Sequence, residues 1–336
     1  MLRIGADLAG FTPSHQLLDQ PPQPFPVLPL ALCGVITLLA AALSCSSLWL
    51  LIPLLSRGLL DQPNARSSHQ QATPRGGGVS FVLVASGFAL PFGFVFPAVL
   101  PLFALPLAIV GFLDDRHNLP AGLRYGVQLA TALCLLWVSP LPVLAPSFWV
   151  WLLLLIAATA VINFTNFMDG LDGLVAGCMA VVFAVVGLWP LVGALLGFLL
   201  WNWSPAKVFM GDVGSTFLGA VFAGVVLQQT SFSAALAFLL VATPLLADAC
   251  LCVPRRLFAG QRIFQAHRLH LFQRLHQAGW CHAHVSSLYI AATVVLAIAH
   301  LAGGLAWVIG FALAVLLIGV WLDQRVAVPF AVASKS

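Results

Sequence analysis

A chain of 336 residues that is 61% hydrophobic, 7% charged and of mean hydropathy +1.03 excludes an ordinary water-soluble domain and reads as an integral membrane protein. Its net charge of +4 rests on 14 Lys and Arg against 10 acids, every one of them Asp. The seven cysteines show no zinc-like spacing against histidines and are expected to be free thiols.

Taken in chain order, residues 1–26 lack a continuous apolar stretch and a basic start, so they are expected to form a disordered tail rather than a secretory signal. A membrane-embedded domain is predicted over 27–322, followed by a cytoplasmic tail at 323–336. A spanning helix needs about 20 apolar residues. Eleven transmembrane helices are predicted on that basis, near 27–55, 78–96, 98–113, 124–139, 147–165, 173–188, 190–202, 215–230, 233–253, 285–302 and 304–322. The predicted fold class is an all-α polytopic membrane protein.

Lys and Arg collect in cytoplasmic loops. Thirteen of the fourteen fall on one side, in the loops at 56–77, 114–124, 203–214 and 254–284 and at the C-terminus, and only Arg3 disagrees. This predicts a periplasmic N-terminus and a cytoplasmic C-terminus. The outer loops are short and nearly chargeless, so the active site is expected at the cytoplasmic membrane face.

Ionisable groups at membrane depth cost about 3 kcal/mol or more, so the acids point to function. Three polar patches each abut a helix end. In GFLDDRHNLPAGLR, the adjacent carboxylates of Asp114 and Asp115 repel unless a cation or proton lies between them. A solvated helix end paired with Arg116 and Arg124 fits the same residues. In VINFTNFMDGLDGLVAG, Asn163, Asn166, Asp169 and Asp172 step by three, along one helical face or a helix end unwound at Gly170 and Gly173. Such a stripe suits a uracil or sugar edge or a hydrated magnesium ion, and it lacks the far acidic residue of a calcium loop. In NWSPAKVFMGDVGS, Asp212 lies between Gly211 and Gly214, which permit close approach of backbone and ligand. Lys207 there suits a phosphate and Phe209 a base.

Two further segments are basic. Arg75 precedes the glycines 76–78, a weak signal alone. Between 255 and 284 lie five arginines and five histidines, with His267, Arg268 and His270 grouped. That segment reads as an amphipathic lipid-facing loop or as a binding loop.

Together these residues resemble the polyprenyl-phosphate N-acetylhexosamine-1-phosphate transferases, membrane enzymes that begin bacterial cell-wall and surface-polysaccharide synthesis on a lipid carrier. The likeness rests on the Asp114–Asp115 pair, NFTNFMDGLDGL at 163–174, NWSPAKVFMGDVGS at 202–215 and HRLHLFQRL at 267–275, in order over 27–322. It implies transfer of a sugar 1-phosphate from a UDP-N-acetylhexosamine to undecaprenyl phosphate, with release of UMP, in the bacterial inner (cytoplasmic) membrane. Magnesium is the implied cofactor, with manganese as an alternative. The implied partners are the two substrates and the lipid bilayer, with a homodimer as an allowed assembly and no nucleic acid.

Residue by residue, the resemblance implies Asp212 and Asp169 as metal ligands, and Asp114 or Asp115 as the group that deprotonates or positions the lipid phosphate. Asn163, Asn166, Asp169 and Asp172 look like nucleotide-sugar contacts, with Asp172 near the uracil and Phe209 stacking on it. His267, Arg268 and His270 resemble a loop gripping the diphosphate and sugar, the two histidines as catalytic groups, while Asn202, Lys207 and Arg75 look substrate-binding. The run His267-Arg268-Leu269-His270 departs from the consecutive histidines of the peptidoglycan-precursor branch, and PRGGG at 74–78 is nearer to the O-antigen branches. Initiation of O-antigen or a related surface glycan is therefore expected over muramoyl-pentapeptide transfer.

Physics favours the same reading, because two phosphate-bearing substrates repel until a cation neutralises them. The competing class is a transporter or flippase, whose acids belong near the midplane in two matching halves. Here they gather at one side.

Overall fold

The computed structural model describes residues 29–63, 71–92, 96–261 and 267–334; the predicted tail at 1–26 lies outside them. Among the described residues the chain is helical apart from one two-residue ladder, β1 (Leu60–Asp61) antiparallel to β2 (Thr73–Pro74). The helices are α1 (Leu30–Gly58), α2 (Val79–Ala89), α3 (Leu100–His117), α4 (Ala121–Trp137), α5 (Leu141–Leu144), α6 (Phe148–Phe167) and α7 (Leu174–Val185). They continue with α8 (Trp189–Asn202), α9 (Asp212–Leu227), α10 (Phe232–Val241), α11 (Thr243–Phe258), α12 (Leu271–Gln277), α13 (His282–Arg325) and α14 (Phe330–Ala333).

Every apolar run predicted as a span is mainly helical, yet among the described residues only α1, α6 and α13 are long and apolar enough to cross a membrane alone. The shortfall from eleven has local causes. The run at 78–96 passes from α2 into a 3-10 turn, Leu90–Phe92, at Pro91, which supplies no N–H to an α-helix. The run at 233–253 divides where α10 and α11 meet at a bend of 86°, with Pro244 in the first turn of α11, where its missing N–H breaks no bond. The two runs at 285–302 and 304–322 form one 44-residue helix broken at Gly304, whose φ of 63° and ψ of −152° are non-helical and natural only for glycine. A straight helix of that length would reach about 66 Å. Arg274, just before α13, nevertheless pairs with Asp323 near its far end, so the chain folds back at Gly304.

Nearly all of α9 is buried, as an apolar-all-round helix must be, and it packs against α3 and α6. Small residues bring other helices close. A Cβ on Gly193 or Gly197 of α8 would collide with the α1 backbone at Thr37 or Ala41, a small-residue contact of the kind that joins helices in lipid. Large apolar side chains instead cover the outside, among them Trp49, Leu54, Phe148, Leu153, Ile298 and Leu317, which suits a surface facing hydrocarbon.

Residues of the segment predicted as a tail at 323–336 contact α11 and α12. Asp323 pairs with Arg255 and Arg274, the Arg274 guanidinium donates to the Val328 carbonyl, and the Phe330 ring lies under both arginines.

Candidate active site

The end of α3 and the start of α9 form the centre of the site. Helix α3 stops at Asn118, which adopts a left-handed conformation at φ 50°, one that asparagine tolerates well. The turn lets Asp114 reach forward: one carboxylate oxygen accepts from the Leu119 N–H at 2.6 Å and the other from Arg124 at 2.7 Å. Asp115, one residue on, accepts from the N–H groups of Asp212 and Val213 at 3.2 and 3.3 Å. These are unsatisfied donors of the α9 N-terminus, where a carboxylate is favoured. Arg75 donates to the Asp115 carbonyl, and its Nε lies 3.9 Å from the carboxylate. Arg124 also stands 3.6 Å from Asp212. Such proximity requires glycine, since a Cβ on Gly111 would lie 2.5 Å from the Asp212 carbonyl carbon.

The triple glycine is explained by the same packing. Gly77 and Gly78 donate to the carbonyls of Phe209 and Met210, and Phe209 donates to Pro74. A Cβ on Gly78 would lie 2.6 Å from Gly214 Cα. PRGGG is thus a backbone rail for the loop that carries Phe209 and Asp212.

Asn163 and Asn166 line one cleft with Arg124, Gln128, Asp212 and Thr216. Asn163 donates to Gln128 at 2.7 Å, and Asn166 accepts from Ser215 at 2.5 Å. Asp172 is buried, accepts from the Ala206 N–H at 3.2 Å and lies 3.1 Å from His282 Nδ1. Lys207 is exposed, its ammonium over the Trp201 ring. Asn202, expected from the sequence as a substrate contact, has a structural role in the fold. It is buried and uses both ends of its amide on the backbone, accepting from Gly173 N–H and donating to the Val208 carbonyl. It joins the two loops.

The histidine segment meets the second patch through Phe272, whose ring would lie 3.0 Å from a Cβ on Gly170. His270 is buried and its ring stacks between His267 and Phe272. Asp248 anchors this segment, accepting from Leu271 and Phe272 N–H at 2.7 and 3.1 Å and from the Tyr289 hydroxyl at 2.8 Å.

Asp115, Asp169 and Asp212 lie beyond the predicted spans, and each is pushed upward chiefly by loss of solvation. Asp115 rises to about 6 against the pull of its two N–H donors and Arg75. Asp169 rises to about 7, with the charges of Asp115 and Asp172 adding. Asp212 rises well above the carboxylate range, with Asp115 and Asp114 adding. In the histidine segment, burial lowers His267 to about 3, helped by the positive charges of His270 and Arg256. Burial also works to lower His270, but the Asp248 carboxylate prevails and raises it to about 9. The acid cluster is therefore short of positive charge. An all-oxygen donor set of this kind fits a hard divalent cation.

Sequence reasoning assigned no site role to Arg124, Gln128, Asp248 or His282. Arg124 was visible only as a neighbour of the Asp pair, and nothing local marks the other three, whose partners lie 35, 23 and 110 residues away in the chain for Gln128–Asn163, Asp248–Leu271 and His282–Asp172.

Residues 97–230 match the family model described as Glycosyl transferase family 4. The chain is 31% identical to the undecaprenyl-phosphate alpha-N-acetylglucosaminyl 1-phosphate transferase of Escherichia coli, over 71% of this chain and 75% of that protein. It is 31% identical to the decaprenyl-phosphate N-acetylglucosaminephosphotransferase of Mycobacterium tuberculosis, over 84% and 85%. The probable undecaprenyl-phosphate N-acetylglucosaminyl 1-phosphate transferase of Bacillus subtilis is 28% identical, over 67% and 72%.

Proposed function

Because the chain belongs to the polyprenyl-phosphate N-acetylglucosaminyl 1-phosphate transferase family, we propose that it transfers an N-acetylhexosamine 1-phosphate, N-acetylglucosamine by analogy with its relatives' names, from a UDP-sugar to undecaprenyl phosphate. The observation that carries this reading is the convergence of Asp114, Asp115 and Asp212 around Arg124 and Arg75. Both substrates are anionic, so their site needs guanidinium groups for phosphate and carboxylates for a cation. Both are there.

Asp212 and Asp169 would hold magnesium, or manganese in its place. When bound, such an ion neutralises diphosphate oxygens. The chain's own residues do the remaining work. Arg124 and Arg75 hold phosphate oxygens by charge-assisted hydrogen bonds. Asp114 and Asp115 position the acceptor phosphate, which needs little help from a base because a phosphate monoester's second pKa is about 6. That favours direct attack on the donor's β-phosphorus, with no covalent enzyme species. Asn163, Asn166 and Asp172 contact the nucleotide sugar, Phe209 stacks on uracil, and Lys207 and Arg268 draw in the diphosphate. His267 and His270 flank Arg268 and set the position of that segment.

The distribution of Lys and Arg supports a site at the cytoplasmic face of the bacterial inner membrane, and the sequence of the histidine segment supports a role at the start of O-antigen or related surface-glycan synthesis. The test mixes detergent-purified protein with UDP-N-acetylglucosamine and a short polyprenyl phosphate. UMP should appear only when the lipid is present. A transporter would release none, and a lipid-independent burst of UMP equal to the enzyme would replace direct attack by a covalent intermediate.

A further inference from the structure

Cys252 lies near the end of α11, and His267 and His270 lie in the segment leading into α12. The Cys252 Sγ and one nitrogen of each ring come within 4.8 Å of one another. A tetrahedral zinc site, with Zn–N of about 2.0–2.1 Å and Zn–S of about 2.3 Å, sets such atoms roughly 3.4–3.6 Å apart. A bound ion would draw these atoms together by up to about 1.4 Å.

Three features make this more than a chance meeting. Cys252 and His270 are 3% and 2% exposed, so both are withdrawn from bulk water. The Nδ1 atom of His270 is buried without a hydrogen bond, and the Asp248 carboxylate stands 3.5 Å from it. A carboxylate behind an imidazole is how metal-binding histidines are oriented, the carboxylate taking Nδ1–H while Nε2 is left to coordinate. Asp248 is itself fixed by two backbone N–H groups and the Tyr289 hydroxyl.

We propose that Cys252, His267 and His270 form a binding site for a thiophilic divalent cation of the zinc class, with a fourth position left open. One thiolate and two imidazoles are the wrong donors for magnesium, which takes oxygen, so the site is separate from the acid cluster. Binding releases two protons to solvent, the Cys252 thiol proton and the ring proton that the His270 imidazolium must give up before its Nε2 can coordinate, with no change of oxidation state. It ties the segment bearing Arg268 to α11.

The test uses full-length, tag-free protein, stripped with chelator, kept reduced and titrated with zinc or cobalt(II). The wild type should bind one equivalent and, with cobalt, show a near-ultraviolet thiolate-to-metal charge-transfer band with tetrahedral visible absorption. Cys252→Ser should lose the band and weaken binding by more than the roughly 10-fold that follows removal of an outer-shell partner. Cys250→Ser, exposed on the same helix, should keep both. If Cys252→Ser does not fold, His267→Ala replaces it, and weakened binding supports the site. No stoichiometric binding by the wild type, a band that survives in Cys252→Ser, or wild-type affinity in His267→Ala overturns it. None of these readouts depends on sugar transfer.

Discussion

The Asp115 carboxylate accepts a hydrogen bond from the Asp212 backbone N–H at 3.2 Å, across 97 residues of sequence. The acid that ends α3 is thereby tied to the acid that starts α9.

Asp115→Asn tests that tie. The amide keeps the shape but loses the charge and one of two acceptor oxygens, leaving a buried N–H of the α9 terminus unmatched. Stability in detergent should fall by about 1–3 kcal/mol, the usual cost for such a group, and UMP release should drop sharply. Thermal unfolding and UMP assays check both. A wild-type melting temperature with near wild-type turnover would show that the clamp is incidental.

Asp212→Asn separates chemistry from folding. The Asp212 backbone N–H that meets Asp115 is unchanged, while the carboxylate near Arg124 is lost. The variant should fold and release less than roughly a tenth of the wild-type UMP at saturating magnesium, since one charge-stabilising group is commonly worth 10²–10³ in rate. Activity above that level would remove Asp212 as the metal ligand.

Gly78→Ala should destabilise the protein by about 1–3 kcal/mol or prevent folding, as overpacking does, because the new Cβ would lie 2.6 Å from Gly214 Cα. Gly87→Ala is the control. Nothing lies within 4 Å of its Cβ position, and alanine favours helix by about 1 kcal/mol. Equal melting temperatures for the two variants would contradict the close approach of α2 and α9.

Phe209→Ala should raise the Michaelis constant for the UDP-sugar by the equivalent of about 1–3 kcal/mol, the range for a base stacked on an aromatic ring. The backbone rail from Gly77 to Phe209 is retained in this variant. An unchanged donor constant would take Phe209 out of the uracil site.

Much of this protein was determined locally. Apolar runs form helices whatever their neighbours, because a buried backbone must satisfy its own hydrogen bonds, so the helices appear where hydropathy predicts them. Asp114, Asp115, Asp169, Asp172 and Asp212 announce themselves because acids are costly in such surroundings. Tertiary structure alone decided which of them meet. The contact of α3 with α9 depends on Gly111 facing Asp212, and that of α2 with α9 on Gly78 facing Gly214; no helical period encodes those registers. The bracing of two loops by Asn202, the anchoring of the His270 segment by Asp248, and the gathering of Cys252 with two histidines are likewise products of the fold. Each joins groups from different elements or loops, brought together by the packing of the whole chain rather than by any local preference.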